Sequence, residues 1–100
     1  MSDKDLYSGF IRLHVLYHAA KGPIFGLWII EELRRHGYKL SPGTLYPILH
    51  SLEHKGYLKS TEKREGRQVR RIYRVTPAGR KALAVARIKV RELVGELFEE

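Results

Sequence analysis

The fold of this chain is decided by one stretch of its sequence, SPGTLYPILHSLE, residues 41–53. Ser41 is typical of a helix N-cap, and Pro42 suits the first helical position, where the amide needs no partner. Apolar residues then recur at spacings of three and four, which predicts a helix with one buried face formed by Leu45, Ile48, Leu49 and Leu52. Because Pro47 would lose a backbone hydrogen bond inside that helix, we expect an irregular first turn or a regular helix that begins nearer Thr44.

Two more helices are predicted on the N-terminal side of this stretch. Residues 6–20 are apolar over too wide a surface for a single stripe, so we expect a first helix that is buried on most of its sides. Residues 21–23, Lys-Gly-Pro, end it. A second helix begins near Gly26 and ends before Gly37, because glycine is favoured at the position that follows a helix. Its inward residues are expected to be Leu27, Ile30 and Leu33, and its outward residues Glu31, Arg34 and Arg35.

On the C-terminal side, Gly56 ends the third helix and the pattern changes to that of strands. The β-prone residues 57–58 and 69–75 flank a polar segment at 62–68, which predicts a hairpin with a longer loop. Thr76 and Pro77 then begin a last helix. The predicted class is therefore α+β and mostly helical: a winged helix-turn-helix of three helices and a two-stranded wing over residues 1–76, followed by a long C-terminal helix over residues 77–100.

Composition excludes several classes of protein. With 100 residues, 43% hydrophobic and 30% charged, the chain forms one compact domain and not a multidomain enzyme. It has no cysteine, which excludes disulfides, cysteine-based zinc sites and thiol catalysis. No pair of acids on an apolar helix face and no glycine-rich phosphate loop occurs, so we expect a protein that is not an enzyme. Residues 1–5 lack the features of a signal peptide and no apolar run could span a membrane, so we expect a cytoplasmic location.

The charge of the chain points to a polyanionic partner. The net charge is +8, and residues 59–74 hold seven basic residues against two acidic ones, which accounts for +5 of it. A hairpin beside a recognition helix can lay arginines along phosphates or into the minor groove of double-stranded DNA, and Gly66 allows the turn a positive φ. A solvated, charged edge strand is the alternative, but such a strand would mix its signs. The candidate DNA-binding residues of the wing are Arg64, Arg67, Arg70 and Arg71.

The third helix has the properties of a helix that enters the major groove. Its outward face is small or polar and carries no acidic residue. Hydroxyls at its N-terminus could bind a phosphate, although capping is the simpler role for them. His50 could reach a base edge or a phosphate one turn further along, whereas His54 near the helix end is expected to be solvated. The candidate DNA-binding residues of this helix are Ser41, Thr44, Tyr46, Pro47 and His50.

The last helix predicts a homodimer. Its apolar seam, with Ile88 and Phe98 beyond it, offers more apolar surface than one small domain needs, and the first helix also requires a cover on both sides. The expected interface consists of Leu6, Phe10, Leu83, Ala86, Val90, Leu93 and Leu97. A two-fold axis would place two recognition helices on half-sites about one DNA turn apart, an inverted repeat. The alternative is that the last helix folds back as a fourth core helix.

Four blocks of residues closely resemble the PadR family of transcriptional regulators. In family order across residues 8–80 they are GTLYPIL at 43–49, LE at 52–53, GYL at 56–58 and RIYRVTPAG at 71–79, and Gly26 at the start of the second helix fits as well. The resemblance implies a homodimeric winged-helix repressor whose third helix and wing bind operator DNA, and whose C-terminal helix packs against helix one of the partner. It places Thr44, Tyr46 and Pro47 in the recognition segment and Tyr73 in the support of the wing.

The chain departs from larger members of that family, since only 21 residues follow Gly79. It is similar to the small subtype with one long dimerisation helix. In some small members a pocket between the subunits binds planar drugs or phenolic compounds, so a small inducer of this kind is a further candidate partner. Trp28, Phe25, Phe98 and Val94 are the candidate lining residues, although packing in the core explains each of them better.

Metal binding, other winged-helix functions, membrane binding and RNA binding are alternatives to a specific DNA-binding regulator. His14 with His18, and His50 with His54, are spaced to share a helix face, but without a suitably spaced carboxylate or a cysteine we expect no metal and no cofactor. A winged helix can also serve as a sequence-independent DNA binder or as a protein-interaction module, because a fold does not determine function. Membrane binding is not expected, since the basic residues cluster on a β-prone hairpin. RNA binding is disfavoured because the wing offers no aromatic stacking platform.

Overall fold

The computed structural model describes residues 4–99, so Met1–Asp3 and Glu100, at the ends of the predicted segments 1–76 and 77–100, lie outside the described residues. The prediction that the chain has no signal peptide depends on residues 1–5, and residues 1–3 of that segment lie outside the described residues. The elements are α1 (Lys4–Lys21), β1 (Ile24–Phe25), α2 (Gly26–Arg35), α3 (Pro42–His54), β2 (Leu58–Glu65), β3 (Gln68–Val75) and α4 (Pro77–Leu97). The predicted class is confirmed: the chain is α+β, mostly helical, with three helices, a hairpin and a final helix. None of the helices within residues 4–99 is long and apolar enough to cross a membrane.

The sheet has one strand more than expected. Its antiparallel order is β1-β3-β2, and β1 pairs Ile24 with Tyr73 and Phe25 with Ile72. Two residues are too few to show a strand period, which is why the sequence predicted a wing of two strands only.

The wing hairpin is also longer than expected, and the predicted loop at 62–68 is wrong. β2 and β3 stay paired from Leu58 and Val75 to Glu65 and Gln68, so the turn contains only residues 66–67. Residues 59–68 include no apolar side chain, and a polar strand has no apolar alternation by which the sequence could reveal it. Gly66 has a φ of +61°, and a positive φ at the first turn residue alone is typical of a type II′ hairpin turn.

The core lies between α1, α2, α3 and the base of the sheet. Its largest fully buried side chains are Tyr73, Ile29, Leu33, Leu45, Leu49, Leu58 and Val15. The predicted inner face of α3 is confirmed, because all four of its apolar residues are buried. On α2, however, Leu27 is 69% exposed and Ile29 is buried in its place. Residues 27–30 are all apolar, so periodicity left the rotation of this helix open, and packing against α3 decides it.

The third helix is regular from Pro42 to His54 with Pro47 inside it, so the expected irregular turn or later start is wrong. Pro47 is exposed. The carbonyl of Gly43, which loses its helical donor to the proline ring, lies on the same outer side and can be satisfied by solvent.

The first and last helices bury less surface than expected. In α1 one face is buried, at Ile11, Val15, Leu16 and Ala19, whereas Tyr7, Phe10 and Tyr17 are exposed, so the prediction of burial on most sides is wrong for a single chain. The start of α4 is seated on the domain, where Gly79 is buried against the carbonyl of Tyr57. Beyond its first turns α4 extends past the domain, since residues 87–99 are exposed. It is therefore not a fourth core helix.

Candidate nucleic-acid interface

The N-terminus of α3 brings two candidate hydroxyls together. Ser41 occupies the N-cap position, as predicted, but its side chain makes no capping hydrogen bond to the backbone. Its Oγ lies 3.4 Å from Oγ1 of Thr44 instead. Ser41 is exposed and Thr44 is half-buried. Two hydroxyls at the positive end of a helix dipole can hydrogen-bond one phosphate group.

Tyr46 and His50 differ in their surroundings. The ring of Tyr46 is half-buried and packs directly on Gly26, where a Cβ atom would collide with it. Tyr46 therefore joins α3 to the start of α2 and presents only part of its ring outward. His50 is exposed, with its ring centroid 6.5 Å from that of Tyr46, and Pro47 and His54 are exposed as well.

The four candidate arginines of the wing do not share one surface. All are exposed, but successive side chains of a strand point to opposite faces. Arg64 and Arg71 lie on the face of the wing that carries Tyr73, and Arg70 lies on the other face, where its guanidinium stands 5.7 Å from the ring centroid of Phe25. Arg67 occupies the turn. The wing thus presents basic groups on both faces and at its tip.

These arginines also differ in the hydrogen bonds and ion pairs that they form within the chain. Arg71 donates to Oγ of Ser60 at 3.1 Å and to Oε1 of Glu62 at 3.4 Å. Within residues 4–99, Arg64 and Arg67 form no ion pair with a carboxylate of the chain. The two at the tip are therefore the arginines most available to an external phosphate.

One acidic residue of α3 positions the wing, and the sequence analysis did not assign it a role. Oε2 of Glu53 accepts hydrogen bonds from the backbone N–H of Ser60 at 2.9 Å and from its Oγ at 2.6 Å. The side-chain bond from Ser60 is the main reason that the pKa of Glu53 lies below the ordinary value of a glutamate. Glu53 directly follows Leu52, which is predicted to be buried, and it is the one acidic residue of α3. This pattern could have suggested a structural role for its carboxylate.

The predicted dimer residues lie on α1 and α4, outside the α3 and wing surfaces. Leu83 and Ala86 are half-buried in the single chain, whereas the remaining five are exposed: Leu6, Phe10, Val90, Leu93 and Leu97. Exposure rises along α4 from 37% at Val90 to 66% at Leu97. The structure thus shows a continuous helix with an apolar seam that a single chain does not cover.

A groove of about 920 Å³ lies between α1, the end of α2 and α4. Of the four residues named for a small-molecule pocket, Val94 lines this groove, and Phe25, Trp28 and Phe98 do not. The prediction that these residues pack in the core is wrong for Val94, Trp28 and Phe98, because they are 46%, 47% and 79% exposed. Phe25 is half-buried beside Arg70.

Comparison with known proteins places this geometry among transcriptional regulators. Residues 15–85 match the Transcriptional regulator PadR-like family. The chain is 51% identical over 95 residues to the transcriptional regulator Rv3488 of Mycobacterium tuberculosis, which covers 95% of this chain and 89% of that protein.

Solved structures agree with this match. A PadR family transcriptional regulator from Eggerthella lenta superposes with a TM-score of 0.82 at 31% identity, over 95% of this chain and 87% of that one. Bacillus subtilis PadR, solved in complex with operator DNA, has the same fold, with a TM-score of 0.70 at 20% identity over 79% of this chain and 47% of that one.

Proposed function

This chain belongs to the PadR-like family of transcriptional regulators, and from that premise we propose that it is a homodimeric repressor that binds an inverted-repeat operator through α3 and the wing. Members of the family are transcriptional regulators and not enzymes. The Bacillus subtilis PadR structure contains operator DNA, and we extend binding of double-stranded DNA to this chain as part of the proposal.

The observation that carries the proposal is the fixed position of the basic wing relative to the polar outward face of α3. Glu53 ties the base of the wing to α3 through Ser60, and the wing tip carries Arg64 and Arg67 without carboxylate partners among residues 4–99. A rigid pair of elements can contact a groove and its flanking phosphates at the same time. We assign phosphate contacts to Arg64, Arg67, Arg70 and Arg71, and groove contacts to Ser41, Thr44, Tyr46, Pro47 and His50.

We assign the dimer contact to α1 and α4. Large apolar side chains such as Leu93 and Leu97 stay exposed along a helix that extends beyond its own domain, and contiguous apolar surface of this kind marks an interface. A second copy of the chain would cover it by two-fold symmetry. In this division residues 1–76 form the DNA-binding domain, whose α1 also contributes to the dimer contact, and residues 77–100 form the dimerisation helix. The apolar groove beside α4 is the place where we would seek a planar or phenolic inducer.

The test is fluorescence anisotropy with DNA from upstream of the protein's own gene and with a scrambled duplex of equal length, from about 50 to 200 mM salt. We expect a preference of about a thousandfold or more for the first duplex at the higher salt, saturating at two chains per duplex. In vitro transcription from a promoter that carries the bound sequence should fall as the protein is added.

The second candidate is a DNA binder without sequence preference, which the charge of the wing alone would support. It predicts equal binding to both duplexes that fades as salt rises. Absence of binding to either duplex at low salt would contradict both functions and favour a protein-interaction module.

A further inference from the structure

Two pairs of side chains face each other where α1 meets α2. His14 and His18 are four residues apart on α1, and Glu32 on α2 has the same spacing from His36, the C-cap residue of that helix, so each pair lies on one side of its helix. One ring nitrogen from each of the three histidines lies within 4.8 Å of the others. Oε2 of Glu32 is 3.3 Å from Nε2 of His36 and 3.6 Å from Nε2 of His18. We call these four residues the histidine cluster.

We propose that the histidine cluster binds a divalent transition-metal ion of the zinc type, with His14, His18 and His36 as nitrogen ligands and Glu32 as the fourth ligand. Three imidazoles and one carboxylate form a donor set that suits zinc, cobalt or nickel and does not suit calcium or magnesium. In a tetrahedral zinc site the donor atoms are about 3.4 Å apart, so the three imidazole nitrogens, now within 4.8 Å of one another, would have to approach by at most about 1.4 Å through side-chain rotation.

A second observation concerns Nε2 of His18. This nitrogen is buried and makes no hydrogen bond, because its 3.6 Å contact with Oε2 of Glu32 is too long for one, and a buried polar atom without a hydrogen bond destabilises the fold. A bound cation would give it a partner.

Ordinary packing is the competing explanation for the cluster. The ring of His14 stacks on that of His36 at 4.8 Å between centroids and meets the edge of Tyr38 at 5.5 Å. Stacked rings bury apolar surface whether or not a metal is present. Packing alone, however, does not account for a carboxylate within 3.6 Å of two imidazole nitrogens. The pair His50 and His54 on α3 has the same spacing and belongs to no such cluster among residues 4–99, so it provides a control.

The experiment uses the full chain, free of any purification tag, stripped with a chelator and titrated with cobalt(II) in the absence of DNA. We expect one ion per chain and the visible absorption bands of tetrahedral cobalt, which zinc should abolish by displacement. His36 is exposed, so the His36→Gln variant should stay folded although it loses the stacking on His14, and it should bind at least about tenfold more weakly. The control variant His50→Gln/His54→Gln should bind as the unaltered chain does.

Three results would overturn the site: no cobalt bands in the unaltered chain, equal affinity in the His36→Gln variant, or an equal loss in the His50→Gln/His54→Gln control. Circular dichroism of each variant separates a lost ligand from a lost fold. Unchanged affinity in Glu32→Gln would contradict the assignment of the fourth ligand. Because none of the cluster residues is a proposed DNA contact and DNA is absent, these outcomes are independent of the proposed function.

Discussion

Ser60 at the base of the wing donates two hydrogen bonds to a single carboxylate oxygen of Glu53 on α3, one from its backbone N–H at 2.9 Å and one from its Oγ at 2.6 Å. Arg71 of the neighbouring strand donates to the same hydroxyl at 3.1 Å. Three elements, α3, β2 and β3, are therefore joined through one serine. The position of the wing relative to α3 depends on this junction.

Glu53→Gln should destabilise the fold by about 1 kcal/mol, because a hydrogen bond to a neutral amide is weaker than one to a carboxylate. The hydrogen bond from the Ser60 side chain lowers the pKa of Glu53, so the folded chain binds its proton less readily than the unfolded chain does. The stabilisation is complete above the ordinary pKa of a glutamate and is lost as the pH falls through the lowered folded value. Urea denaturation at several pH values should show a gap between the two proteins that closes in acid. A gap that stays constant with pH would contradict this assignment.

Gly79→Ala should destabilise the fold by about 1–3 kcal/mol, because a Cβ atom at this position would overlap the backbone carbonyl of Tyr57 and the side chain of Val75. The carbonyl of Tyr57 belongs to the backbone, so it cannot rotate away from the new methyl group as the end of a flexible side chain can. Gly43→Ala is the control, since its Cβ would meet only Oγ of Ser41 at an ordinary 3.7 Å. Urea midpoints measure both, and the control should be unchanged or more stable by up to about 1 kcal/mol. Similar midpoints for the two variants would show that α4 is not seated as described.

Arg64→Ala and Arg67→Ala should weaken binding to every DNA sequence alike. Each lost phosphate contact should lower the slope of log affinity against log salt by about 0.9. Thr44→Ala and His50→Ala should instead change the preference between operator and scrambled DNA, because α3 is proposed to contact base edges. Anisotropy titrations at several salt concentrations measure both quantities. Lys89→Ala, which removes one exposed charge from α4, should leave the preference and the salt slope unchanged. Identical behaviour of the wing and α3 variants would refute this division of roles.

Leu93→Glu should convert the proposed dimer to a monomer at micromolar concentration, because it places a charge in the middle of the apolar seam of α4. Leu93 is 42% exposed in the single chain, so the fold of each chain should persist. Sedimentation velocity measures the mass, and circular dichroism checks the helix content. Ile88→Glu makes the same chemical change on α4 outside the seam and should remain dimeric. A dimeric Leu93→Glu variant would exclude this seam as the interface.

Local patterns were sufficient for the order of helices, the inner face of α3, the start of α4 at Pro77 and the family to which the chain belongs. These features depend on neighbours in the chain: caps, proline at the first helical position, glycine after helix ends and apolar residues at spacings of three and four. The same patterns failed wherever they were ambiguous. Four consecutive apolar residues at 27–30 left the rotation of α2 open, and the absence of apolar side chains from residues 59–68 concealed the length of the hairpin.

Contacts between distant residues decided the remainder. The pairing of β1 with β3, the tie from Glu53 to Ser60 and the placement of Arg64 and Arg71 on one face all depend on register between separate segments. The meeting of two i, i+4 pairs across α1 and α2 likewise depends on how the helices pack, although each pair could be found along the chain. Spacing along one helix determines which side chains share a face, whereas only the packing of one face against another determines which of them meet.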